Sequence, residues 1–197
     1  MPKLFPTYRD EIRKKIITEA FAVFLEKGFE KTTLDEIAAR LEVTKPALYR
    51  YFKNKDDLFM ASIVEIGVAE YEHFQEILFT GDDIMANAGT YFDAVLAFSW
   101  KYQILTLDIF KMMRRNRSFR DLHPDYHEKF ILMMQTGFEG QIQKGIIHPD
   151  FDSRTLAILC SSLIGGLVHF SIEETNIVEA KEIWLKGYAK LAGVESG

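Results

Sequence analysis

Between Thr44 and Lys55 the chain places four cations, Lys45, Arg50, Lys53 and Lys55, together with Tyr49 and Tyr51, and no carboxylate appears until Asp56. Ammonium, guanidinium and phenol groups in one run can donate to phosphate oxygens and base edges. A basic run is more often a plain solvated face, so position decides. Lys45 and Ala47 open a short helical stretch, where lysine donates to guanine O6/N7 and an alanine methyl meets a thymine methyl. Tyr49, Tyr51 and Lys55 suit phosphates, as does Thr33 with the backbone N–H groups at its helix start. Thr44 points outward from the turn, and Arg50 suits either task. Leu48 and Phe52 should face inward.

Other chemistry is poorly represented. His123 and His127 have helix-ligand spacing, but Pro124 between them breaks the geometry, so no metal is expected. No G-x-S-x-G or P-loop appears. His169 and Ser162 share a helix face without a third orienting group. The expectation is a protein that is not an enzyme and uses no cofactor.

The elements that must position the basic run are helical throughout, an all-α chain. Apolar residues from Ile12 to Leu25 fall on a 3.6-residue stripe that should end at Gly28. Thr33 and Glu36 form a capping box ahead of a helix at 33–41. A turn at 41–44 follows, then a helix at 45–52 with Pro46 in its first turn. Ala38, Val43 and Leu48 should hold the pair together from inside, leaving the second helix free to enter a major groove. A long helix runs from Asn54 to Phe79, followed by patterns at 84–103, 104–116, 124–144, 153–173 and 177–192. Turns are expected at "SFRDLHPD" and "GIIHPDFDS". This makes an N-terminal three-helix domain over 1–54 and a six-helix bundle over 55–197.

The whole chain of 197 residues is acidic, with net charge −5. The charge is unevenly spread: residues 1–60 hold 12 Lys+Arg against 10 Asp+Glu. An anion-binding surface is therefore local and N-terminal. A hydrophobic fraction of 48% supports a sizeable core. One cysteine, no stretch approaching the ~20 apolar residues of a membrane span and no secretory layout at the start lead us to expect a cytoplasmic protein without membrane partners.

The stretch "TTLDEIAARLEVTKPALYRYFKNKDDLF", preceded by "AFAVFLEKGFEKTT", closely resembles the DNA-binding domain of the TetR family of transcriptional regulators over about residues 12–60. The glycine-aromatic turn, Thr-Thr, the buried "IA", "LYRYF" and "NKDDL" recur at fixed offsets. One departure is Glu42, where such turns usually carry glycine; a left-handed conformation there would cost about 1 kcal/mol.

The resemblance implies that the C-terminal region serves dimerisation and an effector pocket. For a homodimer, Ser161, Ser162, Gly165, Gly166 and His169 form a stripe of small residues, and Trp184 and Tyr188 give the last helix an apolar face. For a pocket, the candidates are Tyr91, Phe92, Val95, Phe98, Ser99, Tyr102, Phe110, Met113, Phe130, Met134 and Phe138, each of which also suits a plain helical core. The expected function is a ligand-responsive repressor that binds a pseudo-palindromic double-stranded DNA operator and is released by a small apolar or amphipathic effector. The alternatives are an effector-independent activator or architectural DNA-binding protein, and a helical enzyme with a vestigial DNA-binding domain.

Overall fold

The computed structural model describes residues 6–171 and 176–194, except for the side chains of 6, 7, 118 and 122–126. Eight helices and no strand run through the described residues: α1 (Pro6–Lys31), α2 (Leu34–Arg40), α3 (Lys45–Tyr49), α4 (Lys55–Phe79), α5 (Ile84–Arg115), α6 (Arg117–Gln143), α7 (Ser153–Phe170) and α8 (Ile177–Ala192). They gather into two compact units, residues 1–69 with 102–121, and residues 70–101 with 122–197. The unit that holds the first three helices thus extends past the boundary expected at 54, taking in the start of α4 and the end of α5.

In the N-terminal unit the α1 stripe buries Ile16, Ile17, Ala20, Phe21 and Phe24. Gly28 breaks the helix with φ 77 and ψ 167, outside the left-handed helical basin expected of a cap, and helical geometry then resumes to Lys31. This conformation is open to glycine and turns Phe29 inward. There Phe29 packs on Phe59 with centroids 4.8 Å apart, and Phe24 meets Phe59 edge-on at 5.0 Å. The Asp108 carboxylate on α5 accepts from the Phe29 backbone N–H at 2.6 Å, giving a donor exposed by the break a buried partner.

The C-terminal unit packs around Trp184, Tyr188, Tyr91, Phe92 and Phe138, all fully buried. The Trp184 indole donates to the Ala88 carbonyl at 2.7 Å, which satisfies its one polar atom inside the core. Cys160 lies in the same core, where burial pushes its thiol up to about 12.

Two expected breaks are absent. The segments at 84–103 and 104–116 are one helix, α5, because "WKYQILTL" contains neither proline nor glycine to interrupt it. "SFRDLHPD" is not a turn but the beginning of α6. Asn116 sets that start, its Oδ1 accepting from the Phe119 N–H at 3.2 Å. A proline within the first two turns removes one backbone bond without ending the helix. The "GIIHPDFDS" connection is a loop as expected, closed by Asp152, which accepts from the Thr155 N–H and caps α7.

Candidate nucleic-acid interface

The basic run is positioned by a tightly specified helix pair. The Thr33 hydroxyl accepts from the Glu36 N–H at 3.2 Å, and the Glu36 carboxylate accepts from the Thr33 N–H at 3.0 Å, completing the capping box. Lys27, hydrogen-bonded to Glu36 at 2.5 Å, holds that carboxyl below its ordinary range. Ala38 and Leu48 are sealed between the helices. Glu42 has φ 55, a left-handed residue and the one non-glycine among the described residues with positive φ.

Val43 departs from expectation. Its N–H is bonded inward to the Ala38 carbonyl at 2.9 Å, but its side chain is 42% exposed rather than part of the seal. With the chain reversed at Glu42, Val43 lies on the wall of a hollow of about 290 Å³ that also touches Ile12, Leu41, Ala47, Arg50 and Tyr51.

The recognition helix itself is short, Lys45–Tyr49, with Arg50 and Tyr51 in the turn that follows. Thr44 precedes it in extended geometry, but its hydroxyl makes no capping bond. Tyr49 is 49% exposed, and Arg50 is exposed without a carboxylate partner. Lys45 Nζ lies 2.8 Å from Asp35 Oδ2, a hydrogen-bonded ion pair that raises the ammonium's pKa. Thr44, Lys45, Ala47, Tyr49 and Arg50 therefore form one outward-facing set with donors, a phenol and a methyl.

Three expected contacts are differently engaged. Lys55 is not a free phosphate ligand: its ammonium donates to the carbonyls of Phe29 and Thr32 at 2.8 Å and of Glu30 at 3.4 Å. The same ammonium lies 4.2 Å from the centroid of the Phe29 ring. Lys55 therefore closes the end of α1, where orphan carbonyls attract a cation. Thr33 is exposed, but its hydroxyl and backbone N–H both serve the capping box. Tyr51 is half-buried along the hollow rather than projecting freely. Conversely, Lys53 was not among the expected contacts, yet its side chain is exposed beside the outward set. Its place in the basic run was the available signal.

The residues expected to line an effector pocket do not form one site. Tyr91, Phe92, Met134 and Phe138 are buried in the C-terminal core, with Val95, Phe98 and Phe130 packed against it and Ser99 half-buried nearby in sequence. Tyr102 belongs to the N-terminal unit and packs on Phe21 at 5.4 Å. Phe110 is 60% exposed and, with Met113, Arg114 and Arg120, lines an open hollow of about 620 Å³ in that same unit. The long continuous α5 is the reason: its two halves contribute to different units.

The expected dimer surface divides similarly. On α7, Ser162, Gly165, Gly166 and His169 are exposed and Ser161 is half-buried. A Cβ built on Gly165 or Gly166 would meet nothing within 4 Å, so no packing within the chain requires glycine there. Trp184 and Tyr188, however, face the core of their own subunit and offer nothing to a partner. The outer face of α8 instead shows Val178, 75% exposed, and Ile183. No trio of His, Cys, Asp or Glu is spaced to hold a metal among the described residues, and the side chain of His123 lies outside them.

Residues 16–61 match the profile of the bacterial regulatory proteins of the TetR family. Over 53 residues the chain is 42% identical to the transcriptional activator FasR of Mycolicibacterium smegmatis, a match covering 27% of this chain and 24% of FasR. It is 36% identical over 52 residues to IcaR of Staphylococcus epidermidis, a negative transcriptional regulator of a biofilm operon, covering 26% of this chain and 28% of IcaR. The chain thus spans about a quarter of the length of the curated relatives it matches. At the level of fold, a protein from Mesorhizobium loti assigned to the TetR family superposes with a TM-score of 0.79 at 15% identity, over 97% of this chain and all of the other.

Proposed function

We propose, from the premise that this chain belongs to the TetR family through its DNA-binding domain, that it is a sequence-specific transcriptional regulator acting from the cytoplasm as a homodimer. The observation that carries this reading is the outward set Thr44, Lys45, Ala47, Tyr49 and Arg50, presented by a helix pair whose cap, seal and left-handed turn fix its direction. Lys45 and Ala47 read base edges; Tyr49, Arg50 and Lys53 hold the backbone. The matched relatives are regulators of transcription rather than enzymes, one an activator and one a negative regulator.

A single short helix reads few base pairs, so two copies on a pseudo-palindrome are the natural unit. The exposed small-residue face of α7 and the apolar outer face of α8 support a symmetric four-helix interface. Repression follows from occupancy that blocks the polymerase. The aromatic and methionine-containing C-terminal core suits a small apolar or amphipathic effector. Release would need a coupling of only about 1–3 kcal/mol, roughly 5- to 150-fold in operator affinity.

The test is selection from random duplexes at two salt concentrations, with the wild-type protein and Tyr49→Ala. One enriched palindrome, lost in the variant, is the expected result. Salt-sensitive binding without enrichment would mean an architectural binder, and no binding would overturn the reading.

A further inference from the structure

Lys45 opens the recognition helix and is the one cation placed to reach base edges from its first turn, yet in the free protein its ammonium is bonded to Asp35 at 2.8 Å. Asp35 lies in the first turn of α2, just after the capping box. The neighbouring Glu36 is fully employed, by Lys27 and by the Thr33 N–H, and has a clear structural task. Asp35 has none: it is exposed, it caps nothing, and its side chain bonds only Lys45. Helix-dipole attraction explains why an acid is tolerated at that position. It does not explain why this acid holds the reading lysine.

We propose that Asp35 determines specificity by making Lys45 unavailable to phosphates while leaving it available to the correct base, an inference that rests on the DNA-binding reading above. Binding to unspecific duplex is driven by cations that displace condensed counterions, one contact at a time. A lysine already neutralised by a carboxylate contributes no such displacement. To grasp a phosphate it must also leave Asp35 behind, facing a negatively charged backbone. At the correct site the balance differs. Lys45 donates to guanine O6/N7, and the carboxylate beside it can accept from a cytosine N4 amino group, so neither charge is stranded. The pair thus weakens wrong contacts more than right ones.

The experiment compares wild type, Asp35→Asn, Lys45→Ala and the double variant on a duplex of scrambled sequence and on the selected operator, across a salt series, after thermal melts confirm folding. Asparagine keeps the size and polarity of the side chain. For Asp35→Asn the expected slope of log affinity against log salt on scrambled duplex steepens by about 0.9, the value of one added phosphate contact. That corresponds to about a 3-fold larger loss of affinity between roughly 50 and 200 mM salt. The ratio of operator to scrambled affinity should fall. In the Lys45→Ala background the same substitution should leave the slope unchanged, because the lysine through which it acts is gone. An unchanged slope in Asp35→Asn, or an equal steepening with and without Lys45, overturns the proposal while leaving the DNA-binding reading intact. Failure of the wild type to bind either duplex would overturn that reading instead.

Discussion

Lys55 shows how one residue can satisfy a sequence pattern for a reason other than the apparent one. It completes a basic run that looks like a phosphate clamp, but three backbone carbonyls at the end of α1 hold its ammonium. Arg115 reinforces the same corner, bonding Glu30 and Asp56 and lying 4.8 Å from the centroid of the Phe29 ring that Lys55 also contacts. Lys55→Met should therefore lower stability by about 1.5–3 kcal/mol, the scale of hydrogen bonds made by a charged group. The urea midpoint should fall while the salt slope of DNA binding stays as in the wild type. A flatter slope with unchanged stability would return Lys55 to the interface. Sequence alone could not separate these outcomes, since the carbonyls that capture the lysine belong to residues more than twenty positions away. Tyr49 and Arg50 were legible because their exposure follows from the short helix itself.

At the scale of the element, local signals that act over three or four residues were read well. The Thr33–Glu36 box, the sealed Ala38 and Leu48 and the left-handed turn all lie where the pattern puts them. Glu42 is strained there by roughly 1–2 kcal/mol, part of which glycine would return as added freedom in the unfolded chain. Glu42→Gly should accordingly stabilise the protein by about 0.5 kcal/mol net, detected as a small rise in the urea midpoint; a loss of stability would show that the Glu42 side chain contributes something the turn geometry does not reveal. The misread elements are those without a local terminator. Helical periodicity does not say that α5 continues for 32 residues, nor that Asn116 rather than a later residue starts α6. Once α5 is continuous, its distal half must pack with the N-terminal unit, and Tyr102, Phe110 and Met113 go with it.

For the whole molecule, the face of α7 is the largest open question that the sequence poses and a single chain leaves unburied. This helix is the one among the described residues long and apolar enough to cross a membrane by length and composition. One side of it, with Leu156, Cys160, Ile164 and Leu167, is buried in the C-terminal core, while Ile158, Ser162, Gly165, Gly166 and Phe170 face outward. Gly166→Leu should yield monomers in sedimentation with the fold intact, because the added side chain meets no atom of its own subunit. Dimers that survive the change would move the interface elsewhere. Mild acid should weaken the fold in a predictable direction. Hydrogen bonds from Lys27, Arg154, Gln135 and Thr155 hold Glu36, Glu128, Glu139 and Asp152, respectively, below their ordinary values. The stabilisation is present above the unfolded carboxyl values, near ~4, and is lost as pH falls through the lower native ones. Urea midpoints measured from about pH 6 down to about pH 3 should decline across that window, and a flat profile would show that these bonds are broken in solution.

Both tryptophans of the chain, Trp100 and Trp184, lie in the C-terminal unit, and the N-terminal unit has none. Intrinsic fluorescence excited at the indole band is therefore silent about the reading head and speaks only for the far unit. Any change in that emission when an operator duplex is added would be an optical signature of communication through the protein, obtained without attaching a dye.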